Sequence, residues 1–305
     1  MGRTVAIAGF QGIIAGAPTI TEPGNLSVAK RLRKAAMTSK YAIMALLCAA
    51  SVASAQTWST IDVPGSLNTQ AWGVSAGIVV GDYYNSFSPN RLYGYIYNTG
   101  DNVYTTIQDP SAGSADYDGT VLTGVSGSEY VGFFVANGVN NGFLYNGSSF
   151  TTLDDPLGTE GTQIYGVSGK NIVGSYVDSA GASHGFLYNG SSFTTIDDPL
   201  ANETANLGTF IHGISSSGEL VGYYYTGNGG YSAFTDVGGT FTTLSEPNAV
   251  QSSGGTFIFG VAGNELVGGY FDQSTGHGFT YNGSTWTKLD YPGYFTGTYA
   301  TGVDA

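Results

Sequence analysis

The sequence reads as an all-β protein, a β-propeller of four-stranded antiparallel blades, and three observations lead there. Gly accounts for 48 of the 305 residues, with 22 Tyr and 16 Phe, while only 10% are charged. Four short segments rich in Val, Ile, Thr, Tyr and Phe recur in a fixed order about every 46 residues. No stretch of this repeat region shows an apolar period of about 3.6 residues, so helices are not expected there. Composition excludes other classes as well. The glycines have no period of three and Pro is only 9, which rules out collagen. High aromatic content with low charge argues against disorder, and the single cysteine, Cys48, rules out a disulfide scaffold.

Taken in chain order, residues 1–36 carry no periodic pattern and end in Lys30, Arg31, Arg33 and Lys34. They read as an unstructured leader, or as sequence upstream of a true start at Met37. Residues 37–55 read as a secretory signal peptide. Lys40 precedes the apolar run Tyr41–Ala50, and Ala53-Ser54-Ala55 is a small-x-small cleavage site, with the cut before Gln56. The run is too short for a comfortable membrane span, and Leu47 is too large to precede a lipidated Cys48. The predicted location is therefore secreted or extracellular, with periplasm or cell surface as alternatives. Residues 56–305 form a single repeat domain.

That domain keeps only Arg91, Lys170 and Lys288 against 21 acidic residues, a net charge of −18. Such a surface repels phosphate backbones and anionic headgroups, so neither nucleic acid nor a membrane is an expected partner. Residues 56–305 also contain no Cys and no Met, which suits an oxidising exterior.

The repeat is clearest where Gly142–Leu157 and Gly185–Leu200 differ at one position in sixteen. The first segment of each unit ends in a Gly-Val-Ser-like triplet: Gly73, Gly124, Gly166, Gly213, Gly260 and Gly302 open it. The second contains Val-Gly, as in Val80-Gly81 and Val173-Gly174. The third is Gly-Phe-Leu-Tyr or similar, and the fourth runs from an aromatic residue to Pro, as in Phe193–Pro199. Each is bounded by Gly, Asn, Asp, Ser or Pro, the signals of strands. Asn146-Gly147, Asn189-Gly190 and Asn282-Gly283 stand between the third and fourth segments and supply positive φ for hairpin turns.

A blade packed between two neighbours buries both faces of its sheet. This explains why Phe186-Leu187-Tyr188 is apolar at successive positions, and glycines let the sheets approach closely near the axis. Five complete units lie between Gly73 and Pro292, flanked by an extra fourth segment (Trp58–Pro64) and an extra first segment around Gly302. Five blades are expected. Six is the alternative, with strands from the two ends sharing one blade.

Two units read His184-Gly-Phe186 and His277-Gly-Phe279, each followed by a hairpin; after the first comes Phe-Thr-Thr-Ile-Asp-Asp-Pro. In these motifs residues 57–305 resemble the bacterial HAF-type extracellular repeat family. The first and fourth units depart from it, reading Tyr93-Gly-Tyr95 and Ser232-Ala-Phe234. The resemblance implies a secreted protein of exopolysaccharide-producing bacteria. It implies no catalytic residue.

Strand parity places the tight turns on one face and the long, variable loops on the other, and function gathers on such loops. The residue before the Gly of each first segment lies near the mouth of the central channel and changes from unit to unit. Trp72, Tyr165, His212 and Phe259 are the candidate ligand-binding residues, with Thr123 in the same series. Rings around a funnel suit sugars or aromatic ligands; packing between the blades is the competing role.

The pairs Asp154-Asp155 and Asp197-Asp198 recur from unit to unit and read as strand-ending turns. A glycosidase needs two carboxylates facing each other across a bond. His184, His277 and His212 have no zinc-ligand spacing, and no GxSxG or phosphate loop occurs. No catalytic residue, metal site or cofactor is therefore assigned, and calcium held by several acidic loops stays open. The expected function is non-enzymatic binding of extracellular polysaccharide through the long-loop face. A surface-protein scaffold is one alternative, and a propeller hydrolase or lyase the other.

Overall fold

The computed structural model describes residues 4–8, 12–16, 57–87, 90–227, 229–273, 275–292 and 297–304. Strands β1 (Thr4–Ala8), β2 (Gly12–Gly16) and β3 (Thr57–Thr60) come first in the chain. The first blade follows: β4 (Asn68–Ser75), β5 (Ile78–Tyr84), β6 (Tyr93–Asn98) and β7 (Val103–Ile107). The second is β8 (Gly119–Ser126), β9 (Glu129–Ala136), β10 (Val139–Tyr145) and β11 (Phe150–Thr152). Strands β12 (Gly161–Ser168), β13 (Asn171–Val177), β14 (Ser183–Tyr188) and β15 (Phe193–Ile196) make the third. The fourth is β16 (Thr209–Ile214), β17 (Leu220–Tyr225), β18 (Tyr231–Val237) and β19 (Thr240–Leu244). The fifth is β20 (Thr256–Ala262), β21 (Glu265–Phe271), β22 (Gly276–Tyr281) and β23 (Trp286–Leu289), and β24 (Tyr299–Val303) ends the series. All five blades are antiparallel meanders of consecutive strands, as the repeat predicts.

The two ends of the repeat region meet in a further four-stranded sheet of order β24-β1-β2-β3. Its outer strands are the extra first and fourth segments seen in the sequence. Its two middle strands, β1 and β2, come from the stretch 1–36 that precedes the signal-peptide pattern. Val-Ala-Ile-Ala and Gly-Ile-Ile-Ala-Gly are short, but they pair backbone edges that β24 and β3 would otherwise leave open. Residues 37–55, the signal-peptide stretch, lie outside the described residues.

The glycines of the Gly-Val-Ser triplets form a closed circle around the axis. A methyl group on Gly73 would stand 3.1 Å from the Gly124 Cα, and the same holds at 3.4 Å from Gly124 to Gly166. The circle closes from Gly302 to Gly73 at 3.3 Å. Backbones this close exclude any side chain, so glycine is required for the innermost strands to pack.

The core lies between adjacent sheets. Val173 of the third blade packs with Ile211 and Phe234 of the fourth, and Val221 of the fourth with Ile258 and Phe279 of the fifth. The aromatic residue of each third segment is fully buried: Tyr95, Phe143, Phe186, Phe234 and Phe279. Each anchors one blade against the one before it, worth about 1.5–3 kcal/mol of burial apiece.

The hairpin turns differ in one detail from the sequence expectation. Only the glycine adopts positive φ, 89° at Gly147 and 93° at Gly190. The asparagine instead uses its side chain: Asn146 Oδ1 accepts hydrogen bonds from the backbone N–H groups of Ser148 and Ser149. This Asx turn closes a four-residue loop and removes any need for left-handed backbone at Asn146.

Candidate ligand-binding channel

Each innermost strand carries a β-bulge at the residue before the triplet glycine. In the first blade Ala71 pairs with Gly81 and Gly73 with Val80, which leaves Trp72 without a cross-strand partner. The same register shift passes over Thr123, Tyr165, His212, Phe259 and, in the sixth sheet, Thr301. A bulge re-aims its extra residue, and here all six line a cavity of about 680 Å³ along the axis. That volume suits a small ligand.

The six positions then divide by chemistry. Thr123 and Thr301 are buried, and their hydroxyls donate to the carbonyls of Ile164 and Ala71 on the neighbouring sheets. Trp72, Tyr165, His212 and Phe259 are half-buried and belong to none of the inter-blade core clusters. Tyr165 stacks on His212 with ring centroids 4.1 Å apart, and His212 meets Phe259 edge-on at 5.2 Å.

Further lining residues escaped the sequence reading. Tyr223, Phe133 and Phe271 project from second strands, and Gln70, Val121, Gln163, Phe257 and Tyr299 stand two residues before the bulge. Tyr223 lies 5.0 Å from His212 and 4.9 Å from Phe257, so rings from the third blade to the sixth sheet make a continuous wall. A sequence signal existed for the second-strand position. It reads Asp82, Phe133, Ser175, Tyr223 and Gly269, different in every unit while the adjoining Val-Gly repeats.

The channel has two unlike ends. At the tight-turn end stands an aliphatic ring of Val74, Val125, Val167, Ile214, Val261 and Val303. Glutamines and aromatic rings lie toward the other end, where the innermost strands emerge from the long loops. Burial pushes His212 down to about 3, so its imidazole is neutral, and its Nε2 is buried without a partner among the described residues. Behind Trp72 the Asp82 carboxylate accepts the indole N–H. Burial raises Asp82 to about 7, with the Trp72 hydrogen bond opposing.

The repeated acidic residues are committed to the scaffold. The Asp155 and Asp198 carboxylates accept the backbone N–H groups of Leu157 and Leu200, while their own backbone N–H groups donate to Thr162 and Thr209. Asp109 and Glu246 repeat this arrangement with Thr120 and Thr256. The Asp154 and Asp197 carboxylates accept from Gly142 and Gly185. Neither member of a pair faces its neighbour across an open cleft.

His184 and His277 are each held between two carboxylates. His184 Nδ1 lies 2.8 Å from Asp197 and Nε2 3.5 Å from Asp178; His277 is placed likewise between Asp290 and Asp272. Burial lowers the His184 pKa, but the Asp197 hydrogen bond and charge outweigh it and the net shift is upward. Among the described residues, His184, Asp197 and Glu203 bring donor atoms within 4.8 Å of one another and could hold a cation.

These features define a β-propeller with an aromatic-walled axial channel. The chain matches no protein-family model and no curated protein, so the resemblance to HAF-type repeats rests on its motifs alone. Solved structures show the fold. TolB from Acinetobacter baumannii superposes with a TM-score of 0.62 at 10% identity, covering 99% of this chain. The chain spans 66% of that structure's length. A fucose-recognising lectin from Aleuria aurantia, a six-bladed propeller, aligns at a TM-score of 0.46 and 11% identity, over 78% of this chain and 93% of its own. AofleA from Arthrobotrys oligospora aligns at 0.49 and 13%, over 77% of each chain.

Proposed function

We propose that this is a secreted, non-enzymatic propeller that binds extracellular carbohydrate through the long-loop mouth of its axial channel. The observation that carries this reading is the wall formed by Tyr165, His212, Tyr223, Phe257 and Phe259, with the amides of Gln70 and Gln163 on the same lining. Ring faces take the apolar faces of sugar rings, and amides pair with hydroxyls in both directions. The signal-peptide pattern at 37–55 supports secretion; a cut before Gln56 releases residues 56–305, which carry all five complete blades and the channel rings but not β1 and β2. The commitment of the repeated carboxylates to backbone N–H groups speaks against catalysis.

A surface-protein scaffold is the second reading. Its support is the set of exposed apolar side chains Phe87, Tyr117, Leu157 and Leu200, all on loops of the long-loop face. Screening the purified protein on a broad glycan and polysaccharide array, with and without calcium, separates the two. A defined glycan signal is expected. A blank array with protein shown to be folded overturns the carbohydrate reading in favour of the scaffold.

A further inference from the structure

We propose that the axial channel selects amine-bearing sugars, hexosamine units with a free ammonium group, over N-acetylated, neutral or anionic ones. This rests on the carbohydrate reading above and names its ligand class.

Among the described residues the lining contains no Lys, Arg, Asp or Glu, and its one titratable nitrogen base, His212, is uncharged at working pH. An anionic sugar would therefore enter without a counter-charge. A cation meets instead a lining of aromatic rings, Trp72, Tyr165, Tyr223, Phe257, Phe259 and Tyr299, the groups whose π systems attract ammonium. Trp72 is favoured among them, because its N–H donates to the Asp82 carboxylate. An indole polarised in this way carries more electron density on its ring faces. Asp82 also lies where a nearby ammonium would hold it ionised, against the desolvation that now favours its neutral form.

The approach to the channel has the same sign. Asp116, Glu160 and Glu203 stand on the long loops that lead into innermost strands, and Asp178 and Asp272, each beside a histidine, on loops between second and third strands of the same face. The described residues hold three basic side chains, and only Arg91 stands on a loop of that face. Lys170 is in a tight turn at the far end, Lys288 is 2.7 Å from Asp290, and Arg91 lies over the Tyr93 ring. A negative funnel leading to uncharged aromatic walls concentrates cations and repels anions.

The test is calorimetric titration of the full-length protein at pH 6 with four probes of matched length: oligomers of glucosamine, of N-acetylglucosamine, of a uronic acid, and of lysine. The glucosamine oligomer is expected to bind roughly tenfold more tightly than the N-acetylated one. That advantage is expected to weaken with salt and to vanish at pH 9, where the sugar amine is neutral. Trp72→Leu and Tyr165→Leu, each checked for an unchanged melting profile, should remove it. Should one variant misfold, the other and the pH 9 titration carry the test. Equal or tighter binding of the N-acetylated or uronic oligomer overturns the charge selection and leaves the carbohydrate reading standing. No binding of any sugar overturns both. Lysine oligomers binding as tightly as glucosamine oligomers would show a site for cations without regard to sugar, and would overturn the assignment to hexosamines.

Discussion

The second and third blades are the most alike in the outer half and quite unlike in the inner half. Their third and fourth segments differ at one residue in sixteen, and Phe143 and Phe186 occupy the same fully buried position. At the axis Val121 of the second blade corresponds to Gln163 of the third, Thr123 to Tyr165, and Phe133 to Ser175. Thr123 uses its hydroxyl to tie two sheets together, whereas Tyr165 puts a ring into the channel. One chain thus keeps the packing half of its unit nearly constant and varies the half that faces the cavity. The lesson is that scaffold and lining are written at separate positions of the same repeat, divided by the bulge.

The sharpest way to break this comparison is to attack the shared half. Phe143→Ala and Phe186→Ala should each cost about 3–5 kcal/mol, and by nearly the same amount, in denaturant unfolding. A large difference between them would show that the two blades are not mechanically equivalent.

Asp82 holds the second-strand position that Phe133 and Ser175 hold in these two blades. Its carboxyl is raised from 3.8 to about 7 by burial. A folded-state pKa above the unfolded one means that the folded form binds the extra proton, so Asp82 costs stability as pH rises from about 4 to about 7. Asp82→Asn should therefore stabilise the protein at pH 8 by on the order of 2–4 kcal/mol, with the gain disappearing toward pH 4. A melting series across that range checks it, and a flat difference would refute the assignment.

The two bulge residues should respond in opposite ways. Thr123→Val removes hydrogen bonds to the Val131 and Ile164 carbonyls and should cost about 1–2 kcal/mol, with a far smaller effect on glycan binding than Tyr165→Leu. Tyr165→Leu should leave the melting temperature within a degree or two and weaken glycan binding. A large fall in melting temperature for Tyr165→Leu would place that ring in the packing half after all.

The smallest effect is at His184, where the second blade has Asn141. The His184 pKa is raised on balance, burial being outweighed by Asp197 and Asp178. Its contribution is present below the unfolded value near 6.5 and is lost as pH climbs through the folded one. His184→Asn should remove a few tenths of a kcal/mol, about the worth of an exposed ion pair, at pH 5.5 and nothing at pH 8.5. Equal effects at both would mean that the imidazole acts through packing on Tyr176 alone.

The blades themselves were legible in the sequence because their determinants are local. Strand segments, Asn-Gly turns and the Asp-Asp-Pro stops repeat in order, and the triplet glycines mark the innermost strand. The candidate rings Trp72, Tyr165, His212 and Phe259 were found from their variability inside a repeat. Tyr223, Phe257 and Tyr299 were missed because their facing depends on pairing and on the bulge, which shifts strand parity by one residue.

The sequence by itself therefore determined the four-stranded unit, its number of contiguous copies and the glycines at its axis, since each follows from chemistry within a few residues. Tertiary structure decided the rest. Rings about 46 residues apart become neighbours only when the sheets close into a circle. The filling of the sixth sheet by β1 and β2 is likewise decided by which backbone edges closure leaves to be paired.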